Sequence, residues 1–210
     1  AELGEHTKAL ADAAKILNRL GLRWTMHQGG FDASNIGFNN GDLELQERLT
    51  RSLIDTAVKI GARTVLLPEC GHAYGAARWD DEQIAAGRLR VRPIGHTATF
   101  HDPCQIVRRG GLEAAALSKP DQVLAALGFE LIELDAHGVT GLCCGGGGGV
   151  VSNQRAAPLR HQVFALKQSQ VDATGAEHFV TSCGQCRITL EMGARQAGWT
   201  KKTESLLELV

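Results

Sequence analysis

The sequence predicts an α/β fold, a mostly parallel sheet with helices on both faces, and three observations carry that prediction. Segments of helical period, each closed by a glycine, alternate with short apolar runs. Runs such as Thr64-Val65-Leu66-Leu67 have the composition of strands buried on both sides. The same order of elements also occurs twice along the 210 residues, which favours right-handed crossovers within one kind of unit.

Residues 8–20 read as an amphipathic helix, with Leu10, Ala13, Ala14, Leu17 and Leu20 on one face and Gly21 as its stop. Leu22, Trp24 and Met26 alternate with polar residues, the period of a strand. A glycine-rich loop then leads into a helix at 42–60, with Leu45, Leu49, Leu53, Ala57 and Ile60 on one face. The run at 64–67 is read as a strand that delivers Cys70 into the turn Pro68-Glu69-Cys70-Gly71-His72, with a short helix to about residue 79 and a polar connector over 80–95. In the second half, strands are expected at 97–102, 129–134 and 177–181. Helices are expected from the Ser118-Lys119-Pro120-Asp121 start to Leu127, over 157–174, from Cys183 to Ala197, and in the tail from Thr203.

Ile16-Leu17-Asn18-Arg19-Leu20-Gly21-Leu22 matches Val123-Leu124-Ala125-Ala126-Leu127-Gly128-Phe129, and the stretch 65–71 matches 178–184. We therefore expect two tandem copies of a parallel-sheet, helix-covered unit: a degenerate first copy at 1–95 and a complete copy at 96–210. In this register Cys70 corresponds to Cys183, and Ala73 stands in place of Cys186. The first copy lacks a counterpart of the strand at 97–104, and the chain starts at Ala1. Both features lead us to expect a parent protein that continues toward its N-terminus.

A net charge of −1, with no basic run, gives no electrostatic case for nucleic acid. The apolar runs are too short to span a bilayer, so the expectation is a cytoplasmic chain, or one peripheral to a membrane complex. Five of the six cysteines fall in a tight pattern that favours metal over disulfides. Thirty-eight residues separate Cys104 from the pair Cys143-Cys144, and another 38 separate that pair from Cys183-Gly184-Gln185-Cys186.

In an α/β sheet, chemistry collects at the carboxyl ends of the strands, and Cys104, the cysteine pair and Cys183 each follow an expected strand. Cys183 and Cys186 would place two sulfurs on one turn at a helix start, whose dipole suits an anionic group. Gly145 and Gly146, the first of five consecutive glycines, would let backbone amides approach. An iron–sulfur cluster fits this set. Five sulfurs exceed the four of a cubane, which suggests an unusual cluster or a replaceable ligand. Structural zinc is the alternative, and it would leave one of the adjacent cysteines without a role.

His101-Asp102-Pro103-Cys104, Cys143-Cys144-Gly145 and Cys183 with Cys186 together resemble the CCG, or cysteine-rich, domain of heterodisulfide reductases, a family with relatives in sulfite-reductase-linked membrane complexes, glycolate oxidase and lactate-utilisation proteins. The resemblance covers residues 97–198 strongly and 1–80 weakly. It implies a non-cubane [4Fe-4S] cluster held by Cys104, Cys143, Cys144, Cys183 and Cys186. It further implies a redox enzyme component that passes electrons to or from a disulfide or related sulfur substrate. Implied partners are other redox subunits, ferredoxin-like, flavin or membrane quinone and cytochrome proteins, and a small disulfide or sulfur-carrier protein. Within the family, some members carry two complete motifs. The degenerate first copy here is more similar to the other type, which includes the sulfite-reductase-linked proteins.

Cys70 has three open readings: a lone ligand, a thiol facing the substrate, or an inert relic. His72 beside it would lower a thiol pKa if the two met. His101 is either a donor to the cluster or an ordinary strand-end residue, and Arg108 with Arg109 either meets an anionic substrate or lies in a solvated loop. Two other functions stand beside the sulfur reductase: an electron relay within a glycolate or lactate oxidase, and a zinc-stabilised interaction module.

Overall fold

A computed structural model describes residues 7–29, 41–66, 93–109 and 120–209. Four parallel strands form one sheet in the order β2-β1-β3-β4, where β1 is Thr97–His101, β2 Glu130–Leu131, β3 His178–Thr181 and β4 Thr203–Ser205. The helices in chain order are α1 (Thr7–Arg19), α2 (Leu43–Lys59), α3 (Pro120–Ala126), α4 (Ala157–Thr174), α5 (Gly184–Ala197) and α6 (Leu206–Leu209). β1 lies inside the sheet, pairing with β2 through Ala98 and Leu131 and with β3 from Ala98–His178 to His101–Thr181.

Because side chains alternate across a strand, the sheet separates two cores. Ala98, Phe100 and Val180 pack on one face with Val123, Leu124 and Leu127 of α3, Phe129, and Leu206 of α6. On the other, Phe179 joins Phe164 and Val171 of α4 and Leu190 and Ala194 of α5. Cys144, Cys183 and Cys186 belong to this second core. Alternation therefore sends Thr99 and His101 of β1 toward the cysteines, opposite to Ala98 and Phe100. Burying Phe164 and Phe179 contributes about 1.5–3 kcal/mol each relative to exposure.

Local signals explain the helices of this half. α4 carries proline in its first turn, where a missing N–H costs nothing, and ends at Gly175 with φ +65°. α5 ends likewise at Gly198. Arg187 ties α5 to α6 by donating to Glu191 at 2.9 Å and to Glu208 at 2.8 Å.

The expected helices at 8–20 and 42–60 are present as α1 and α2, the latter capped by Asp42 Oδ1 accepting from Leu45 N–H at 2.8 Å. The expected strands beside them are not: residues 22–26 and the described residues 64–66 form none. No described strand runs alongside either stretch, so their backbone groups gain no ladder and Trp24, Met26, Val65 and Leu66 stay exposed. The duplication of the sheet unit is not confirmed by these residues, and the whole of the corresponding cysteine turn lies outside those described. The tail also differs from expectation. Residues 203–205 form β4, because Thr203 pairs with Phe179, and the helix begins only at Leu206. The strand expected at 129–134 is limited to two residues, with Ile132 N–H still donating to Ala98 C=O at 2.8 Å.

Candidate metal centre

Three segments reach the carboxyl edge of the sheet on the α4–α5 side. β1 ends at His101 and is followed by Pro103 and Cys104, after which the chain makes a π-helical turn over Gln105–Arg109. Such turns widen the helix by one residue and recur at functional sites. The loop after β2 carries Cys143 and Cys144. β3 ends at Thr181, and Cys183 then caps α5, its Sγ accepting from Cys186 N–H at 3.4 Å.

The five thiols follow one another in the order Cys104, Cys143, Cys144, Cys186, Cys183, each near enough to alter the ionisation of the next. None of the five is joined in a disulfide. Cys144, Cys183 and Cys186 are buried, while Cys104 and Cys143 are half-buried, so the set is closed at one end and partly open at the other.

Two glycines make this packing possible. Gly145 adopts φ +86°, and a Cβ there would lie 2.9 Å from Val163 Cγ1 of α4. Its N–H donates to Cys143 Sγ at 3.3 Å. At Gly146 a Cβ would lie 2.0 Å from Thr189 Oγ1 of α5, and the Gly146 N–H serves Cys144. The glycine run is thus the means by which the cysteine loop fits between two helices.

The electrostatics follow from crowding. Hydrogen bonds from the Cys104 and Cys144 thiols, and from Gly145 N–H, hold Cys143 far below the ordinary thiol range. Cys143 in turn opposes ionisation of Cys104 and Cys144, and Cys144 with Cys183 opposes that of Cys186, with burial adding to each. Cys104 and Cys186 are pushed well up, and Cys144 to about 12. Burial and the neighbouring sulfurs thus oppose ionisation of Cys104, Cys144 and Cys186. Burial lowers the pKa of His101 to about 4, with Lys167 adding repulsion. Asp102, whose carboxyl is raised by burial, accepts from Gly138 N–H at 2.7 Å.

His101 is 1% exposed, and its Nε2 is shut off from solvent with no protein partner. One of its ring nitrogens and the sulfurs of Cys144 and Cys186 all lie within 4.8 Å of one another. Convergent sulfurs that resist joint ionisation, backbone donors along them and an orphaned imidazole nitrogen fit a group carrying several positive charges. The donor set of His101, Cys144 and Cys186 would also accept a single zinc ion.

The structure brings together every expected position in the second half: Cys104, Cys143, Cys144, Cys183, Cys186, Gly145, Gly146 and His101. Cys70 and His72 lie outside the described residues. Arg108 donates from Nε to Val139 C=O at 3.0 Å, joining the turn after Cys104 to the loop before Cys143. Sequence reasoning missed Lys167, which is buried on α4 on the face shared by Phe164 and Val171. A lysine in the middle of an apolar helical stripe was the available signal.

Comparison with known proteins agrees with the motif. Residues 98–191 match the family profile of the cysteine-rich domain, CCG. A probable membrane-anchored ferredoxin of Chromohalobacter salexigens is 36% identical over 80% of this chain and 27% of its own length. A subunit of the dihydromethanophenazine:CoB–CoM heterodisulfide reductase of Methanosarcina barkeri is 27% identical over 99% of this chain and 56% of its own. An EtfAB:quinone oxidoreductase of Syntrophomonas wolfei is 27% identical over 65% of this chain and 20% of its own. The chain thus spans between about a fifth and just over half of these relatives. Residues 98–191 therefore carry a cysteine-rich CCG domain, and the chain's relatives include a heterodisulfide reductase subunit and other redox proteins.

Proposed function

We propose that this chain is the cluster-bearing part of a heterodisulfide-reductase-like complex and holds a non-cubane [4Fe-4S] cluster through Cys104, Cys143, Cys144, Cys183 and Cys186. The carrying observation is the gathering of five cysteines at one sheet edge, beside His101, whose Nε2 is buried without a partner among the described residues. When bound, such a cluster supplies electrons one at a time. Gly145 and Gly146 contribute backbone donors, and His101 offers its Nε2 from within the core. The half-buried end at Cys104 and Cys143 is the side from which a substrate would approach.

The reaction is the cleavage of a disulfide into two thiols, which consumes two electrons and two protons, or its reverse. The substrate is a small disulfide or a sulfur-carrier protein, and the electrons come from ferredoxin-like, flavin or quinone-linked subunits. Among the described residues no helix is long and apolar enough to cross a membrane. A place in the cytoplasm or at the surface of a membrane complex is part of the proposal. We further propose that residues 1–95 are a degenerate copy of the unit at 96–210, on the strength of the two sequence matches. In that reading Cys70 and His72 face the substrate.

Iron, acid-labile sulfide and zinc measured per chain under anaerobic conditions test the cofactor, with iron and sulfide in equal amounts expected. Cys144→Ser should abolish the cluster's paramagnetic signal and any disulfide reductase activity. A colourless protein containing zinc, or a Cys144→Ser variant with an unchanged signal, would overturn the proposal. If Cys70 faces substrate, Cys70→Ala should leave the signal intact and lower the activity. A second reading, an electron relay in an oxidase whose cluster never meets substrate, draws on the electron-transfer names of two relatives, the ferredoxin and the quinone oxidoreductase. Flavin and 2-hydroxy-acid turnover in the native complex would favour it.

A further inference from the structure

Lys167 is the only lysine or arginine among the described residues that is buried, at 1% exposed. Its Nζ is closed to solvent and has no hydrogen-bond partner among the described residues. A lone ammonium in a core is among the least tolerated of groups, and proteins keep one only where an opposite charge compensates. Its position is fixed by packing. Phe164 and Val171 flank it on the same face of α4 and belong to the core that contains Cys144, Cys183 and Cys186. Burial pushes its pKa down, and Asp102, Cys144, Cys143 and Cys186 act against that shift by favouring the charged form. Asp102 does not close the account, since no hydrogen bond joins it to Lys167 and its Oδ2 is engaged by Gly138 N–H. The remaining partners are three of the five thiols.

We propose that Lys167 is the built-in counter-charge of the metal centre: its ammonium offsets the negative charge of the cysteine set from the α4 side, and so favours both retention of the cluster and its reduced state. A fixed positive charge in a water-excluded site stabilises whichever oxidation state is more negative. This inference rests on the iron–sulfur reading above. Lys167 touches no substrate in this account and acts as a positioning residue.

The test compares the wild-type chain, Lys167→Met and Lys167→Arg. Each is prepared anaerobically, loaded with ferrous iron and sulfide, and titrated with a reductant while the paramagnetic signal is followed. Lys167→Met keeps the length of the side chain and removes the charge. Its midpoint potential should become more negative and its iron content after gel filtration should fall severalfold, whereas Lys167→Arg should stay near wild type. Lys167→Gln, which also removes the charge, gives the same readout should Lys167→Met fail to fold. A purely structural lysine would leave the potential of these neutral variants at the wild-type value, and that result would overturn the inference. A wild-type chain that binds no iron and sulfide would instead overturn the reading on which it rests.

Discussion

Residues 7–66 and residues 93–209 share the same grammar of helix, glycine stop and apolar run, yet only the second stretch turns it into a sheet in the described structure. In the second, each strand has a neighbour and each helix a face to cover: β1 is buried from Ala98 to His101, and α4 and α5 meet over Phe164 and Leu190. In the first, α2 has no buried residue and Val58 is 74% exposed, although its periodicity is as regular. Propensity and pattern form helices in both, but strands need partners. The lesson for function is that cysteines can be gathered only where a sheet edge exists to gather them.

Leu190→Ala should produce the largest change. Leu190 is fully buried between α5 and the cysteine-bearing core, and its truncation should cost about 2–5 kcal/mol, seen as a lower urea midpoint. Gly146→Ala comes next. Its methyl would overlap Thr189 Oγ1, so a loss of about 1–3 kcal/mol is expected, with iron retention falling together with stability. Pairing it with Thr189→Ala should recover part of the loss, and no recovery would show that the crowding is not the cause. At the small end, Val58→Lys on α2 should change stability by no more than about 0.5 kcal/mol and leave iron content unaltered. A large loss from Val58→Lys would erase the contrast between the two regions.

The second half was largely legible in the sequence because several signals agree there. The helix expected at 157–174 has those bounds, set by Pro158 and Gly175, and the strand expected at 97–102 is observed as Thr97–His101. The cysteines were legible because few residue types compete for their role. Less legible were features decided by tertiary pairing. The strand at Thr203–Ser205 is too short to display a period, whereas 22–26 alternates like a strand and 64–66 has the composition of one, with no described strand beside either. Lys167 escaped because a pattern search treats a charged residue in an apolar stripe as noise, although its burial makes it the most informative residue on α4.

The cap of α5 has a further consequence. Cys183 Sγ already accepts the Cys186 amide at 3.4 Å, so the rotamer of one sulfur and the backbone bearing the other are settled by helix formation itself. The entropy lost in ordering those two atoms belongs to folding rather than to metal capture. Cys183 and Cys186 would then hold a metal with little further ordering of their turn, and most of the remaining ordering would fall to the loop of Cys143 and Cys144. Chelators should accordingly strip the metal without unfolding α5, unlike the collapse seen in small domains whose metal is their core.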